Sequence, residues 1–167
     1  MTGRVASFTT QPKPVIEAWD AWHPRASFGV VQTALAELDW YGAGNGQILR
    51  LEESPDGFHQ TWGWDRSNQC WRVDVFREPW EGDVWIYRRD PSIQRPWESV
   101  VERTSNGTPY LAPEIVLLFK APHAQQEKNR IDLVQTLPLL DDERRRWLHA
   151  ALRRAHPGHE WIALIDS

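Results

Sequence analysis

The stretch 71–91, WRVDVFREPWEGDVWIYRRDP, constrains this chain more than any other. Trp71, Val73 and Val75 alternate with Arg72, Asp74 and Phe76, the period-two pattern of a half-buried strand. Pro79 to Gly82 interrupts the run, and Val84 to Tyr87 resumes a β-branched and aromatic one. The pattern predicts two strands joined by a turn. It puts Val73 and Val75 on a core face and Asp74 on the opposite face, either solvated or aimed into a cleft.

A chain of 167 residues suits one domain with a single core. Its 41% hydrophobic and 25% charged residues are ordinary for a soluble globular protein. A net charge of −4 gives no general electrostatic grip on nucleic acid. The unusual feature is 11 Trp against 5 Phe and 3 Tyr. Indole is large and carries an N–H that wants a partner when buried, so some of these rings are expected to line a cavity or groove while others fill the core. The single Cys70 excludes an internal disulfide and a cysteine-based zinc site. With no signal-peptide pattern and no apolar run of about 18 residues, a soluble cytoplasmic protein is expected.

Along the chain, residues 1–14 are polar, contain Pro12 and Pro14, and read as an extended arm. Residues 16–22, IEAWDAW, fit a strand or a short helix, ended by His23-Pro24. Ser27 is a candidate N-cap for a helix marked by Phe28, Val31, Leu35 and Leu38 and ending near Asp39. GAGNG at 42–46 reads as a turn, lacking the Lys-Ser/Thr of a phosphate loop. Four β segments follow, at 47–52, 59–64, 71–76 and 84–88, and their short connections predict an antiparallel meander. From Pro96 the chain turns helical, with expected helices at 97–104, 113–121, 124–137 and from Asp141 to His156. Ile131, Val134 and Leu137 are expected inward on the third of these, and Trp147, Leu148, Ala151 and Leu152 on the last. The architecture is α+β in one domain: an arm at 1–14, mainly sheet over 15–95, and a helical part over 96–167.

The ordered series WRVDVF, GDVWIYRRDP, GTPYLAPEIVLLFKA, LDDERRRWLHAAL and HPGHEW resembles a bacterial nucleotidyltransferase-fold family related to aminoglycoside adenylyltransferases. The resemblance covers about 100 residues, and it implies an antiparallel-rich mixed sheet with C-terminal helices packed on it. It also implies a phosphate-cradling glycine turn and three carboxylates that hold magnesium for nucleotidyl transfer, a chemistry that needs hard oxygen ligands on two closely spaced ions. Asp74 matches the third carboxylate and Asp20 the second. Ala18 stands at the first, with Glu17 beside it, and no glycine pair precedes the segment. Lys120 and Lys128 match lysines of the family pattern and read as solvated helix residues. The chain reads as a truncated member that has dropped the metal chemistry; fold alone does not fix function.

Three functions are therefore expected in order. The first is a small-molecule enzyme needing no cofactor, carrying out a cyclisation or isomerisation of an apolar metabolite of the kind found in secondary metabolism. Its walls would be Trp19, Trp22, Trp62, Trp64, Trp71 and Trp85, and its acid/base groups Asp74, Asp20 and His23. A dry aromatic surround raises a carboxyl's pKa, whereas contact with Arg72 would lower that of Asp74. The second is a transferase using Mg2+ and a nucleoside triphosphate, with Asp20 and Asp74 as ligands and a small hydroxylated acceptor. The third is a non-catalytic binding protein. A small molecule is the expected partner, and neither nucleic acid nor membrane is. The clusters Glu78/Glu81/Asp83 and Arg144-Arg145-Arg146 read as solvated surface.

Overall fold

A computed structural model describes residues 28–166, which form two compact units with the boundary between Arg77 and Glu78. The one-domain expectation thus meets a boundary inside the very stretch that was read as a hairpin. The class is mixed α+β with antiparallel sheets, as expected. Among the described residues no helix is long and apolar enough to cross a membrane.

The first unit holds α1 (Phe28–Ala34), β1 (Leu38–Gly44), β2 (Gln47–Arg50), β3 (Gln60–Asp65) and β4 (Cys70–Phe76). The strands make one antiparallel sheet in the order β2-β1-β3-β4. Phe28 and Val31 of α1 pack with Leu38, Trp40 and Val75, and Val73 joins them, so the core face carries the two valines as expected. The helix ends four residues earlier than its apolar spacing suggests. Leu38 continues that spacing but enters β1, where Trp40 and Tyr41 pair with Gly63 and Trp62. GAGNG is the end of that strand and a two-residue turn. Asn45 and Gly46 both have positive φ, 51° and 73°, which is the turn that fits a tight hairpin. Gly63 has a steric reason to be glycine: a Cβ there would lie 2.8 Å from Leu38 Cδ1.

The second unit contains β5 (Trp80–Glu81), β6 (Val84–Ile86) and β7 (Gln94–Pro96) in one sheet, and β8 (Val101–Arg103) and β9 (Pro109–Leu111) in another. The helices are α2 (Pro113–Lys120), α3 (Glu127–Thr136), α4 (Asp142–Ala155) and α5 (Glu160–Ile165). β6 pairs with β5 and β7 and not with β4, so the hairpin expected over 71–91 does not form. The turn at Glu81-Gly82-Asp83, with Gly82 at φ 55°, instead closes β5 onto β6. Residues 97–104, expected as helix, are one 3-10 turn and β8. Asn106-Gly107 is a hairpin turn whose Thr104, Asn106 and Thr108 side chains bond one another.

α2 and α4 lie where the spacing puts them. Ile115, Leu117, Leu118, Leu148, Ala151 and Leu152 are buried, and the Asp141 side chain accepts from Arg144 N at 2.9 Å. α3 is rotated from the expected face. Asn129 and Leu133 are buried, while Ile131 and Val134 are exposed. Two polar contacts set that rotation: Asn129 Nδ2 donates to His123 O at 2.8 Å, and Lys120 pairs with Asp132. Lys120 is thereby committed within the unit, and Lys128 is exposed.

Two carboxylates read as ordinary helix or turn residues are buried here. Glu114 is fully buried on α2, accepting from Arg95 of β7 and lying 3.8 Å from Arg144 of α4. Arg144 also reaches Glu102 of β8 at 2.6 Å, and Arg95 stacks 4.8 Å from the Trp147 ring centre. Arg144 is therefore no wet-face arginine. Glu78, expected in a solvated cluster, is buried against Arg88, and burial pushes its carboxyl up to about 7 against the pull of Arg88 and Arg89.

Removing Glu114 strands two arginines in a poorly solvated place. Glu114→Ala should cost about 3–5 kcal/mol in urea denaturation, the range for breaking a buried pair; a loss within 1 kcal/mol of zero would refute the network's role. For Glu78, the unfolded carboxyl releases its proton near 4.5 and the folded one near 7. Between those values the folded state binds more protons, so this group's contribution to stability falls as pH rises from 4.5 to 7 and is level above. The stability of Glu78→Gln relative to the natural protein should rise across that window by on the order of 2–3 kcal/mol. Denaturation series at pH 4.5 and 7.5 check it.

Candidate functional site

The site is the face of the first unit's sheet that looks away from the α1 core. Directly opposed residues share a face. The register puts Tyr41 opposite Trp62 and Trp62 opposite Asp74, so all three lie on this side. Asp39 is opposite Trp64 on the same side.

Trp71 reaches this face by a slip in register. Simple alternation gives it the same face as Val73 and Val75, the core face. Between Gly63 and Trp64 the β3–β4 pairing shifts: Gly63 opposes Val73, but Trp64 opposes Trp71. Arg72 is the extra residue of this bulge, and an extra residue inverts the side on which its neighbours emerge. Trp71 therefore sits among the outer rings, 5.3 Å from Tyr41, 5.3 Å from Trp62 and 5.0 Å from Trp64 between ring centres, all edge-to-face. That is the favoured geometry for aromatic pairs. All four rings are half-buried.

Polar groups border the rings. Gln60 Nε2 donates to Asp74 Oδ2 at 2.7 Å. Arg72, exposed on the bulge, donates from Nε to Asp65 Oδ2 at 3.1 Å. Asp65 also takes two bonds from Asn68, which with Arg72 hold its carboxyl down at about 2. Asp39 is gripped by the Arg66 guanidinium through two 2.5 Å bonds, with Arg50 at 3.5 Å, and Arg66 first and Arg50 second hold its carboxyl below the usual range. Arg50 lies 4.8 Å over the Tyr41 ring, within cation–π reach.

Of the residues expected to form a site, the structure brings Trp62, Trp64, Trp71 and Asp74 together. Trp85 is a correction. It is fully buried in the second unit's core, packed on Tyr87 and Phe119, and offers no surface to a ligand. Its strand was expected beside β4, and it belongs to the other sheet. Trp19, Trp22, Asp20 and His23 lie outside the described residues. Tyr41 is the residue missed, because β1 was read as helix end and turn; its alternation with Trp40 across LDWYGAG was the available signal. Among the described residues no group of three His, Cys, Asp or Glu side chains is placed to hold a metal ion.

Comparison of the chain with protein-family models, with curated proteins and with solved structures finds no match.

The bulge is testable apart from any ligand. Arg72→Ala keeps the residue count and removes one exposed ion pair, so it should cost less than about 1 kcal/mol. Inserting one residue between Gly63 and Trp64 would give Arg72 a partner, turn Trp64 and Trp71 toward the core face, and should cost at least about 2 kcal/mol. Equal stability of the two variants in urea, followed by tryptophan fluorescence, would show that the slip does not place Trp71.

Proposed function

We propose that the outer face of the first unit's sheet binds a small apolar molecule, and that Asp74 is the group that exchanges a proton with it. The single observation carrying this reading is the pairing of Trp62 with Asp74, beside a Trp71 moved onto the same face by a bulge. A folded chain gains nothing for its core by that placement. It gains an aromatic surface with a carboxyl at its margin.

The chemistry that fits is acid/base conversion of an apolar metabolite by cyclisation or isomerisation, on a nucleotidyltransferase-like scaffold without its metal chemistry. What supports the scaffold is the ordered series of motifs, together with the α+β class of the fold. The rings hold the ligand by apolar contact, worth about 25 cal/mol per Å² covered. Gln60 fixes Asp74 Oδ2 by its 2.7 Å bond and so sets the plane of the carboxyl. A proton can then pass between that carboxyl and a ligand atom within hydrogen-bond reach, the geometric requirement for a general acid or base. Asp20 and His23 are the proposed partners in that transfer.

Native mass spectrometry of the protein purified from its own source tests the reading: a bound small molecule is expected, and Trp71→Ala should lower its occupancy about tenfold or more. Asp74→Asn should keep the ligand and stop its conversion. Calorimetry with Mg2+ and ATP at about millimolar concentration should give no isotherm. An isotherm abolished by Asp74→Asn would instead establish the transferase, and a ligand held without conversion by the natural protein would establish a binding protein.

A further inference from the structure

A hollow lies in the second unit, far in sequence from the aromatic face, and is independent of the function proposed above. It measures about 560 Å³ between residues 92–94 and one side of α4, within the size range of small-molecule sites. Trp147, Ala150, Ala151 and Arg154 line it. These four are spaced three, four and seven residues along the helix, so they form one stripe of α4. The hollow exists because the two positions between the large Trp147 and Arg154 carry only methyl groups. Ile93, nearly fully buried, supplies the facing apolar surface.

Two arginines line it. Arg153 and Arg154 stand in the last turn of α4, where the helix's partial negative end favours a cation. Arg154 is committed: its Nε bonds Ser92 Oγ and lies 3.6 Å from Asp90. His149, also lining the hollow, faces Asp166 at 3.2 Å. Arg153 is exposed and, among the described residues, is in no ion pair. The Arg153 guanidinium thus stands uncommitted at the end of an apolar trough closed on one side by an indole. The Trp147 ring is itself stacked by Arg95, 4.8 Å from its centre.

We propose that this hollow is a binding site for a small aromatic carboxylate: the ring lies over Ala150 and Ala151 against Trp147, and the carboxylate pairs with Arg153. A planar bidentate partner is what a guanidinium best accommodates.

The test is a titration with naphthalene-2-carboxylate, followed by NMR at the Ala150 methyl and the Trp147 indole N–H. A saturable shift of both, with a Kd of about a millimolar for a ligand of this size, is expected. Ala150 is exposed, so Ala150→Leu fills the trough without disturbing the core and should abolish the shift. Arg153→Gln should weaken binding about fivefold or more. The neutral naphthalene-2-carboxamide should bind at least that much more weakly than the acid. Absence of saturation, equal binding by acid and amide, or undiminished binding by folded Ala150→Leu would each overturn the site.

Discussion

One residue of mismatch between β3 and β4 decides what the first unit presents to its surroundings. Strand geometry gives each side chain a side, and only a change in residue count can exchange them. Because Arg72 is surplus, Val73 and Val75 close the α1 core while Trp71 joins Trp62, Trp64 and Tyr41 outside it. Gly63, opposite Val73 at the edge of the slip, leaves room for Leu38, whose Cδ1 would lie 2.8 Å from a Cβ there. The irregularity thus adds Trp71 to a face on which regular pairing already sets Asp74 opposite Trp62.

The second unit is organised by a different constraint. Glu114 has no water to solvate it, and its negative charge is tolerable only with Arg95 and Arg144 held against it. Those three residues come from β7, α2 and α4, and Arg144 extends the set to β8 through Glu102. The charge therefore specifies how four elements meet, while Trp85, Leu117, Leu148 and Trp161 supply the apolar burial. Stacking Arg95 on Trp147 ties the same network to the wall of the α4 hollow.

Sequence patterns were readable where periodicity and burial agree. β3, β4, α2 and α4 fall near their expected positions because their apolar residues repeat at one period over a full element. The site residues Trp62, Trp64 and Asp74 follow from the same alternation. What was not readable turns on pairing. Leu38 satisfies a helical period yet belongs to a strand, since Trp40 and Tyr41 gain partners only across β3. Val84 to Ile86 reads as the partner of β4, but Gly82 at positive φ returns it to β5. The face of α3 was misjudged because Asn129, a polar residue, is the one buried, satisfied by a carbonyl that no local pattern reveals. Glu114 and Glu78 escaped notice for a related reason: a carboxylate's burial depends on arginines 10 to 30 positions away.

The central claim is that the four half-buried outer rings of the first unit form an aromatic face that solvent reaches, in contrast to the sealed Trp85 and Trp161 of the second. Paramagnetic broadening of assigned indole and phenol ring protons by a soluble, uncharged gadolinium chelate tests it directly. Trp62, Trp64, Trp71 and Tyr41 should broaden strongly, and Trp85 and Trp161 should stay sharp. Protection of Trp62 and Trp71 equal to that of Trp85 would contradict the account, because a face closed to solvent in the free protein cannot be the surface on which Asp74 meets its ligand.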